Sequence, residues 1–237
     1  LEDVYELMKE KLQKDHDCKT EACLLKKDLI SSKKKEKFYR NELPKDVVED
    51  KTAWLSNFDI DGVMKQFEAS YPEFEYYEAT PIDFDKCSVN GDLCKLTLAE
   101  LNKREKSKVG IIFNTDDSSG KGKHWISLYV DMKGLNSNGK PGLYYIDSFA
   151  SKMPTQIDEL VKKFTEESTD VLGDMMTLSH NPKSFQRNNY ACGYYCMHFI
   201  EHMLQGNSFS DYKALPPTDK MMEEYSLKCF IHPDMMI

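Results

Sequence analysis

An α+β fold is predicted by the order of the hydrophobic patterns along the 237-residue chain. Three runs rich in branched and aromatic residues occupy the middle of the chain: VGIIFNT (109–115), HWISLYVDM (124–132) and GLYYIDS (142–148). Runs of this kind are typical of β-strands. Amphipathic helical patterns lie before and after them, and strands in the middle with helices at both ends indicate an α+β domain.

The first 50 residues differ in composition from the rest and are predicted to form an N-terminal helical arm, residues 1–50. They are rich in lysine and glutamate, have no glycine and contain one proline, Pro44. Their apolar content is thin for an independent core, so the arm is expected to pack on something else. The LPKDVVEDK stretch (43–51) marks the boundary, and residues 51–237 are predicted to form the core domain.

Capping and turn signals place the elements of the core. The stretch from Trp54 to Pro72 predicts a helix whose N-cap is Ser56, Asn57 or Asp59. The other predicted elements are a helix at 97–105 that begins with a capping box (Thr97 and Glu100), a hairpin loop at 133–142, a helix at 155–168, a fourth strand at 175–180, a helix at 192–206 that ends at Gly206, and a last helix at 216–230.

Composition narrows the class of protein. The formal net charge is −8, and the one basic run, SSKKKEKFYR (31–40), is local, so binding to nucleic acid is disfavoured without being excluded. No run of apolar residues is long enough to predict a membrane span. The seven cysteines are an odd number and are scattered, which argues against a disulfide framework and for a reducing, intracellular compartment. Two spaced pairs, Cys18 with Cys23 and Cys87 with Cys94, are predicted to be packing residues.

Two cysteines lie four residues apart at the start of the predicted helix at 192–206. The C-x-x-x-C spacing is not that of a redox pair. Cys196, one turn inside the helix, is predicted to be a small buried hydrophobe. Cys192 lies at the helix N-terminus, where backbone N–H groups and the helix dipole favour an anion, and Gly193 behind it allows close approach of another chain. An inert buried cysteine remains the alternative for Cys192.

Two other motifs suggest different chemistry, and both are weak. HFIEH, from His198 to His202, fits the H-x-x-E-H pattern of inverted zinc peptidases, but the match is short, and polar residues on an exposed helix edge are the preferred interpretation. The glycine loop DDSSGKGKHW (116–125) lacks the spacing of a phosphate-binding loop and leads into a strand. It is predicted to be a flexible loop that borders a site. No metal or cofactor is predicted.

Four residues at the ends of predicted elements fit nucleophilic catalysis by a thiol. His124 opens a strand, and Asp147 ends the next one. If these strands are neighbours, the Asp147 carboxylate can hold one nitrogen of the imidazole and leave the other for the Cys192 thiol. Gln186, in the loop before the helix, can join the Cys192 backbone N–H as a donor to the oxyanion that acyl transfer creates.

This pattern resembles the ubiquitin-like-specific (SUMO) and adenovirus-type cysteine proteases. Their motif is a histidine–tryptophan pair on one strand, an aspartate after the next strand, and a glutamine six residues before a Cys-Gly pair. Three stretches, 54–67, 114–132 and 185–195, are similar in particular to the polyprotein-processing protease of African swine fever virus. The resemblance implies a papain-like α+β core with a central mixed sheet flanked by helices.

The resemblance also implies roles for individual residues. His124 would be the base, Asp147 its orienting group, Cys192 the nucleophile and Gln186 the oxyanion donor. The only two tryptophans, Trp54 and Trp125, would roof a narrow tunnel for a Gly-Gly segment of the substrate, with Gly193 beside it. The chain departs from the family at Ala191, where an acidic residue often precedes the nucleophile.

The expected function is that of a cysteine endopeptidase that cleaves viral polyprotein precursors after Gly-Gly-Xaa-type sequences during particle maturation. Its partner would be a protein substrate, and its location the host cytoplasm and the virion. Two alternatives stay open: a deconjugase of SUMO-like or ubiquitin-like modifiers, and an acyltransferase that uses the same triad. A scaffold with a vestigial triad is disfavoured because all four chemical roles are filled.

Overall fold

A computed structural model describes Lys11, Lys14 and residues 40–231. Most of the predicted arm, including Cys18 and Cys23, lies outside these residues. Within residues 40–231 the helices are α1 (Lys45–Glu49), α2 (Asn57–Ser70), α3 (Gly91–Lys95), α4 (Leu98–Lys103), α5 (Thr155–Leu172), α6 (Cys192–Leu204), α7 (Phe209–Ala214) and α8 (Asp219–Cys229). The strands are β1 (Asn41–Glu42), β2 (Phe74–Pro81), β3 (Lys108–Asn114), β4 (Trp125–Asp131), β5 (Gly142–Ile146), β6 (Thr177–His180) and β7 (Phe230–Ile231).

A five-stranded mixed sheet of order β2-β3-β4-β5-β6 forms the centre of the fold. The two outer pairs, β2 with β3 and β5 with β6, are parallel, and the inner pairs are antiparallel. The predicted central mixed sheet flanked by helices is confirmed. Strand β2 was not predicted from the sequence. Its first four residues are all buried, so it does not show the alternation by which a half-buried strand is recognised.

Each face of the sheet supports its own hydrophobic core. Adjacent residues of β5 point to opposite faces, as strand geometry requires: Tyr144 lies in one core and Tyr145 in the other. Apolar residues of α2, α6, α7 and α8 pack in the first core, and those of α3, α4 and α5 pack in the second. Helix α6 therefore lies directly against the sheet, with Tyr195, Phe199 and Ile200 fully buried.

Short polar contacts fix where the helices next to the site begin and end. Ser56 caps α2, and its side chain and that of Asp59 exchange hydrogen bonds with each other's backbone N–H groups. This settles the choice among the three predicted caps. Gly206 follows α6 with φ of +81°, a left-handed conformation that favours glycine and ends the helix. The hairpin loop between β4 and β5 is confirmed, and Asn136 ties it to the end of α6 through the Met203 carbonyl (2.8 Å).

The structure corrects the prediction for one cysteine pair. Cys87 and Cys94 form a disulfide across a separation of seven residues, instead of being independent packing residues. The chain turns back on itself between them, since Asn90 caps α3 through the Leu93 N–H, and the two Cα atoms lie 5.4 Å apart. Spacing alone could not reveal this turn.

No helix within the part of the chain that the structure describes is long and apolar enough to cross a bilayer.

Candidate active site

His124 and Asp147 meet at one edge of the sheet. His124 directly precedes β4, and Asp147 directly follows β5. Because β4 and β5 are antiparallel neighbours, the start of one lies beside the end of the other. The His124 Nε2 and Asp147 Oδ1 atoms are 2.7 Å apart, so the sequence-based expectation that these two side chains pair is met.

Asp147 is held rigidly in its ionised form. Burial favours its neutral form, but the hydrogen bond to His124 and the backbone N–H groups of Phe149 (2.8 Å) and Ser151 (3.0 Å) outweigh it and lower the pKa of the carboxyl. Asn181 fixes the backbone of Asp147 by bonding both its N–H (3.1 Å) and its carbonyl (2.7 Å). The Phe149 ring packs on the imidazole of His124 at a centroid distance of 4.9 Å.

Cys192 is the first residue of α6, and its thiol interacts with the imidazole of His124. Burial lowers the pKa of His124, but hydrogen bonds to Asp147 and to the Cys192 sulfur outweigh it and raise that pKa to about 9. Since Nε2 is engaged by Asp147, Nδ1 is the nitrogen that remains for the thiol. Ala191, the N-cap of α6, has no side-chain oxygen with which to cap the first turn. The N-terminal end of α6 therefore keeps its positive dipole next to Cys192.

Gln186 lies in the loop before α6 and is 3% exposed. Its Oε1 accepts a hydrogen bond from Ser148 Oγ. Its Nε2 lies 2.9 Å from the carbonyl oxygen of Asn188 and 3.2 Å from the Asn188 side-chain oxygen. The amide nitrogen of the predicted oxyanion donor is therefore hydrogen-bonded to Asn188 in the same loop.

Both tryptophans line one surface cleft of about 410 Å³, together with residues of the glycine loop. Trp125 is 6% exposed and donates its indole N–H to the Leu55 carbonyl (3.0 Å), whereas Trp54 is 39% exposed. Trp54 is thus not a core residue, and the glycine loop lines the same cleft as the two tryptophans. Gly193 lies against Leu55 and Ile60, which a side chain at that position would contact at 3.3 Å. Its predicted contact with substrate stays a prediction.

The residues that suggested other chemistry have structural partners. Cys196 is buried beneath Cys192, as predicted, and burial raises its pKa well above the usual value. His198 is half-buried between the rings of Tyr212 and Tyr225, and burial lowers its pKa to about 4. The interpretation of His198 as part of an exposed edge was therefore wrong. His202 Nε2 lies 3.1 Å from the Ser208 carbonyl. Among the described residues, no group of three or more acidic, cysteine or histidine side chains is arranged to hold a metal.

Sequence reasoning missed the residues that hold this set in place. Ser148 and Asn188 contact Gln186, and Asn181 fixes Asp147. Asp219, at the start of α8, accepts the backbone N–H groups of Arg187 and Asn188. The sequence offered one signal for two of these residues, which is their position. Ser148 directly follows Asp147, and Asn188 lies two residues after Gln186.

Thiol proteases are the class of protein to which this fold and these side chains belong. The chain is a member of the Ulp1 protease family, since the model of that family's C-terminal catalytic domain matches residues 63–233. A protein of Acanthamoeba polyphaga mimivirus described as a thiol protease is 32% identical over 160 residues, which are 68% of this chain and 51% of that protein. The chain thus matches only about half the length of this relative. The SUMO-1 cysteine protease of African swine fever virus is 23% identical over 234 residues, 90% of this chain and 83% of that protein.

Solved structures share the fold. The crystal structure of the African swine fever virus protease superimposes with a TM-score of 0.72 at 20% identity, over 97% of this chain and 90% of that one. The SUMO protease Ulp1, with its catalytic cysteine oxidised to a sulfonic acid, gives a TM-score of 0.51 at 19% identity, over 83% of this chain and 92% of that one.

Proposed function

We propose that the chain is a cysteine endopeptidase that cleaves viral polyprotein precursors after Gly-Gly-Xaa-type sequences during particle maturation. The observation that carries the proposal is the His124–Asp147 pair, whose imidazole also interacts with Cys192 at the N-terminus of α6. A thiol, a base and a group that orients the base are the three parts that nucleophilic acyl transfer requires.

The first half of the reaction forms an acyl-enzyme. His124 takes the proton of the Cys192 thiol, and the thiolate attacks the carbonyl carbon of the scissile peptide bond. The oxygen becomes an oxyanion that the backbone N–H of Cys192 and the Gln186 amide stabilise. The imidazolium, held by Asp147, then gives its proton to the leaving amine as the C–N bond breaks.

The second half regenerates the thiol. Water takes the place of the departed amine and loses its proton to His124 as it attacks the thioester carbonyl. The acid product leaves when the C–S bond breaks and the proton returns to sulfur. Burial of Cys192, which is 1% exposed, keeps bulk water from the site and strengthens each of these interactions.

The cleft beside Trp54 and Trp125 supports the Gly-Gly part of the proposal. Two indole rings that flank the substrate backbone leave room for glycine but not for a branched side chain. Replacing the substrate glycine next to Trp125 by valine should lower kcat/KM by about 100-fold or more, because the penalty is steric. Equal cleavage of the two peptides would refute the tunnel.

The names of two relatives favour a second candidate, a deconjugase that releases a SUMO-like modifier. A panel of Gly-Gly-Xaa peptides and folded SUMO-like fusions, with acetyl-coenzyme A as the acyl donor, separates the candidates. The proposal predicts that unstructured Gly-Gly-Xaa peptides are cleaved by the wild-type chain and not by Cys192→Ala. Cleavage confined to folded fusions would establish the deconjugase instead, and transfer of the acetyl group without peptide cleavage would establish an acyltransferase.

A further inference from the structure

Asn188 contacts Gln186, the predicted oxyanion donor, and the turn that leads into Cys192. Its side-chain oxygen accepts the backbone N–H groups of Tyr190 (3.1 Å) and Ala191 (2.9 Å), in the turn that leads into Cys192. The same oxygen lies 3.2 Å from Gln186 Nε2, and the Asn188 backbone carbonyl lies 2.9 Å from that nitrogen. One residue therefore links the oxyanion donor to the approach of the nucleophile helix.

The Asn188 amide can take only one orientation. Half a turn about its last bond would place Nδ2 against the N–H groups of Tyr190 and Ala191, so that donors would face donors. Nδ2 consequently points the other way, where it is buried and has no hydrogen-bond partner among the described residues. Buried amide donors are nearly always paired. An unpaired one is tolerated here because the oxygen at the other side of the amide holds three donors.

The Gln186 amide is oriented in the same way. Its Oε1 accepts a hydrogen bond from the Ser148 hydroxyl. Half a turn about the last side-chain bond would place Oε1, instead of Nε2, against two oxygens of Asn188, so that acceptors would face acceptors. Nε2 therefore faces Asn188.

We propose that Asn188 is a positioning residue of the oxyanion hole, whose side-chain oxygen holds the Gln186 amide in the orientation from which Nε2 donates to the oxyanion. This inference rests on the proposed function, in which Gln186 is the oxyanion donor. The side-chain oxygen of Asn188 is itself fixed by the N–H groups of Tyr190 and Ala191 and contacts Gln186 Nε2 at 3.2 Å. This is the contact that a substitution of Asn188 removes. The contact with the Asn188 backbone carbonyl remains in every variant, so the loss should be smaller than that on removal of Gln186 itself.

The test uses hydrolysis of a p-nitrophenyl ester, because this reaction forms a tetrahedral oxyanion on Cys192 and needs no peptide specificity. Asn188→Ala should slow acylation by about 10- to 100-fold, less than the roughly 10²- to 10³-fold loss expected for Gln186→Ala. Asn189→Ala is the matched control, since Asn189 is the same residue type, is exposed and lies one position along the chain. It should hydrolyse the ester at the wild-type rate.

A double-mutant cycle decides whether Asn188 acts through Gln186. In the Gln186→Ala background, Asn188→Ala should cause no further loss. A loss as large as that in the wild-type background overturns the proposal. Alkylation of Cys192 by iodoacetamide forms no oxyanion, so its rate should be unchanged in Asn188→Ala. Slowed alkylation would show that Asn188 acts on the nucleophile helix, which also overturns the proposal.

A second variant covers the case in which Asn188→Ala does not fold. Asn188→Ser keeps a short acceptor for the turn at Tyr190 and Ala191 but cannot reach Gln186. It should keep the wild-type melting temperature and still hydrolyse the ester slowly, and a wild-type rate would overturn the proposal. Failure of the proposed function alone would give a different result: the wild-type chain would hydrolyse the ester but would cleave no Gly-Gly-Xaa peptide. Absence of ester hydrolysis by the wild-type chain overturns both.

Discussion

His124 is the residue whose protonation controls the site. Its pKa of about 9 means that the imidazole, once it has taken the proton of the Cys192 thiol, keeps that proton at neutral pH, as the acid that expels the leaving amine must. We therefore expect kcat/KM on a peptide to fall as the pH rises through about 9. Asp147→Asn removes the charge that stabilises the imidazolium. The fall of kcat/KM at high pH, the alkaline limb of the profile, should therefore shift to lower pH by about one unit or more, and the maximum value of kcat/KM should be lower. A pH–rate profile measures both effects, and an unmoved limb in Asp147→Asn would contradict the assignment.

The residues of the candidate active site could be located from the sequence because each is a reactive type at or near the end of an element with a clear pattern. Ser148 and Asn188 could not be predicted. A serine and an asparagine are ordinary loop residues, and their role depends on which atoms face Gln186 once two loops have met. The half-burial of His198 was hidden for a similar reason, because Tyr212 and Tyr225 that cover it come from α7 and α8.

At the scale of elements, the site follows from strand order. The antiparallel pairing of β4 with β5 brings His124 to Asp147, and the packing of α6 on β4 brings Cys192 to both. The sequence predicts β3, β4, β5 and β6 because their apolar runs are continuous or alternate. Strand β2 is missed since its glutamates interrupt an aromatic run that is buried on both faces. Helix α7 is missed because six residues are too few for a periodic pattern to be recognised.

The Cys87–Cys94 disulfide is an element-scale feature with a measurable effect. It closes a short loop, and the turn that precedes this loop is tied to the glycine loop, since Asp83 accepts two hydrogen bonds from Ser118. Loop-closure entropy predicts that Cys94→Ser lowers the free energy of unfolding by about 2 kcal/mol. Urea denaturation with and without a reductant tests this. The wild type should lose stability in reductant and the variant should not, and equal behaviour would show that the bond does not form in solution.

At the scale of the whole molecule, the active-site charges couple to folding. The folded pKa of His124, about 9, lies above its ordinary value near 6.5. Its protonation therefore stabilises the fold fully below about pH 6.5, and this contribution is lost as the pH rises through about 9. The shift corresponds to a contribution on the order of 3 kcal/mol. Denaturation at pH 6.5 and pH 9.5 should show a larger loss for the wild type than for His124→Ala. An identical loss in both would refute the coupling.

The central claim is that Cys192 is the nucleophile and that Cys196, one turn further along α6, is a packing residue. Both are buried, but only Cys192 lies at the helix N-terminus against His124. The most direct measurement compares Cys192→Ala and Cys196→Ala for peptide turnover and for labelling by a thiol-reactive peptide probe. Cys192→Ala should lose both activities and keep its fold. Cys196→Ala should keep both and lose about 1–2 kcal/mol of stability. Turnover by Cys192→Ala, or an inactive but folded Cys196→Ala, would contradict the account.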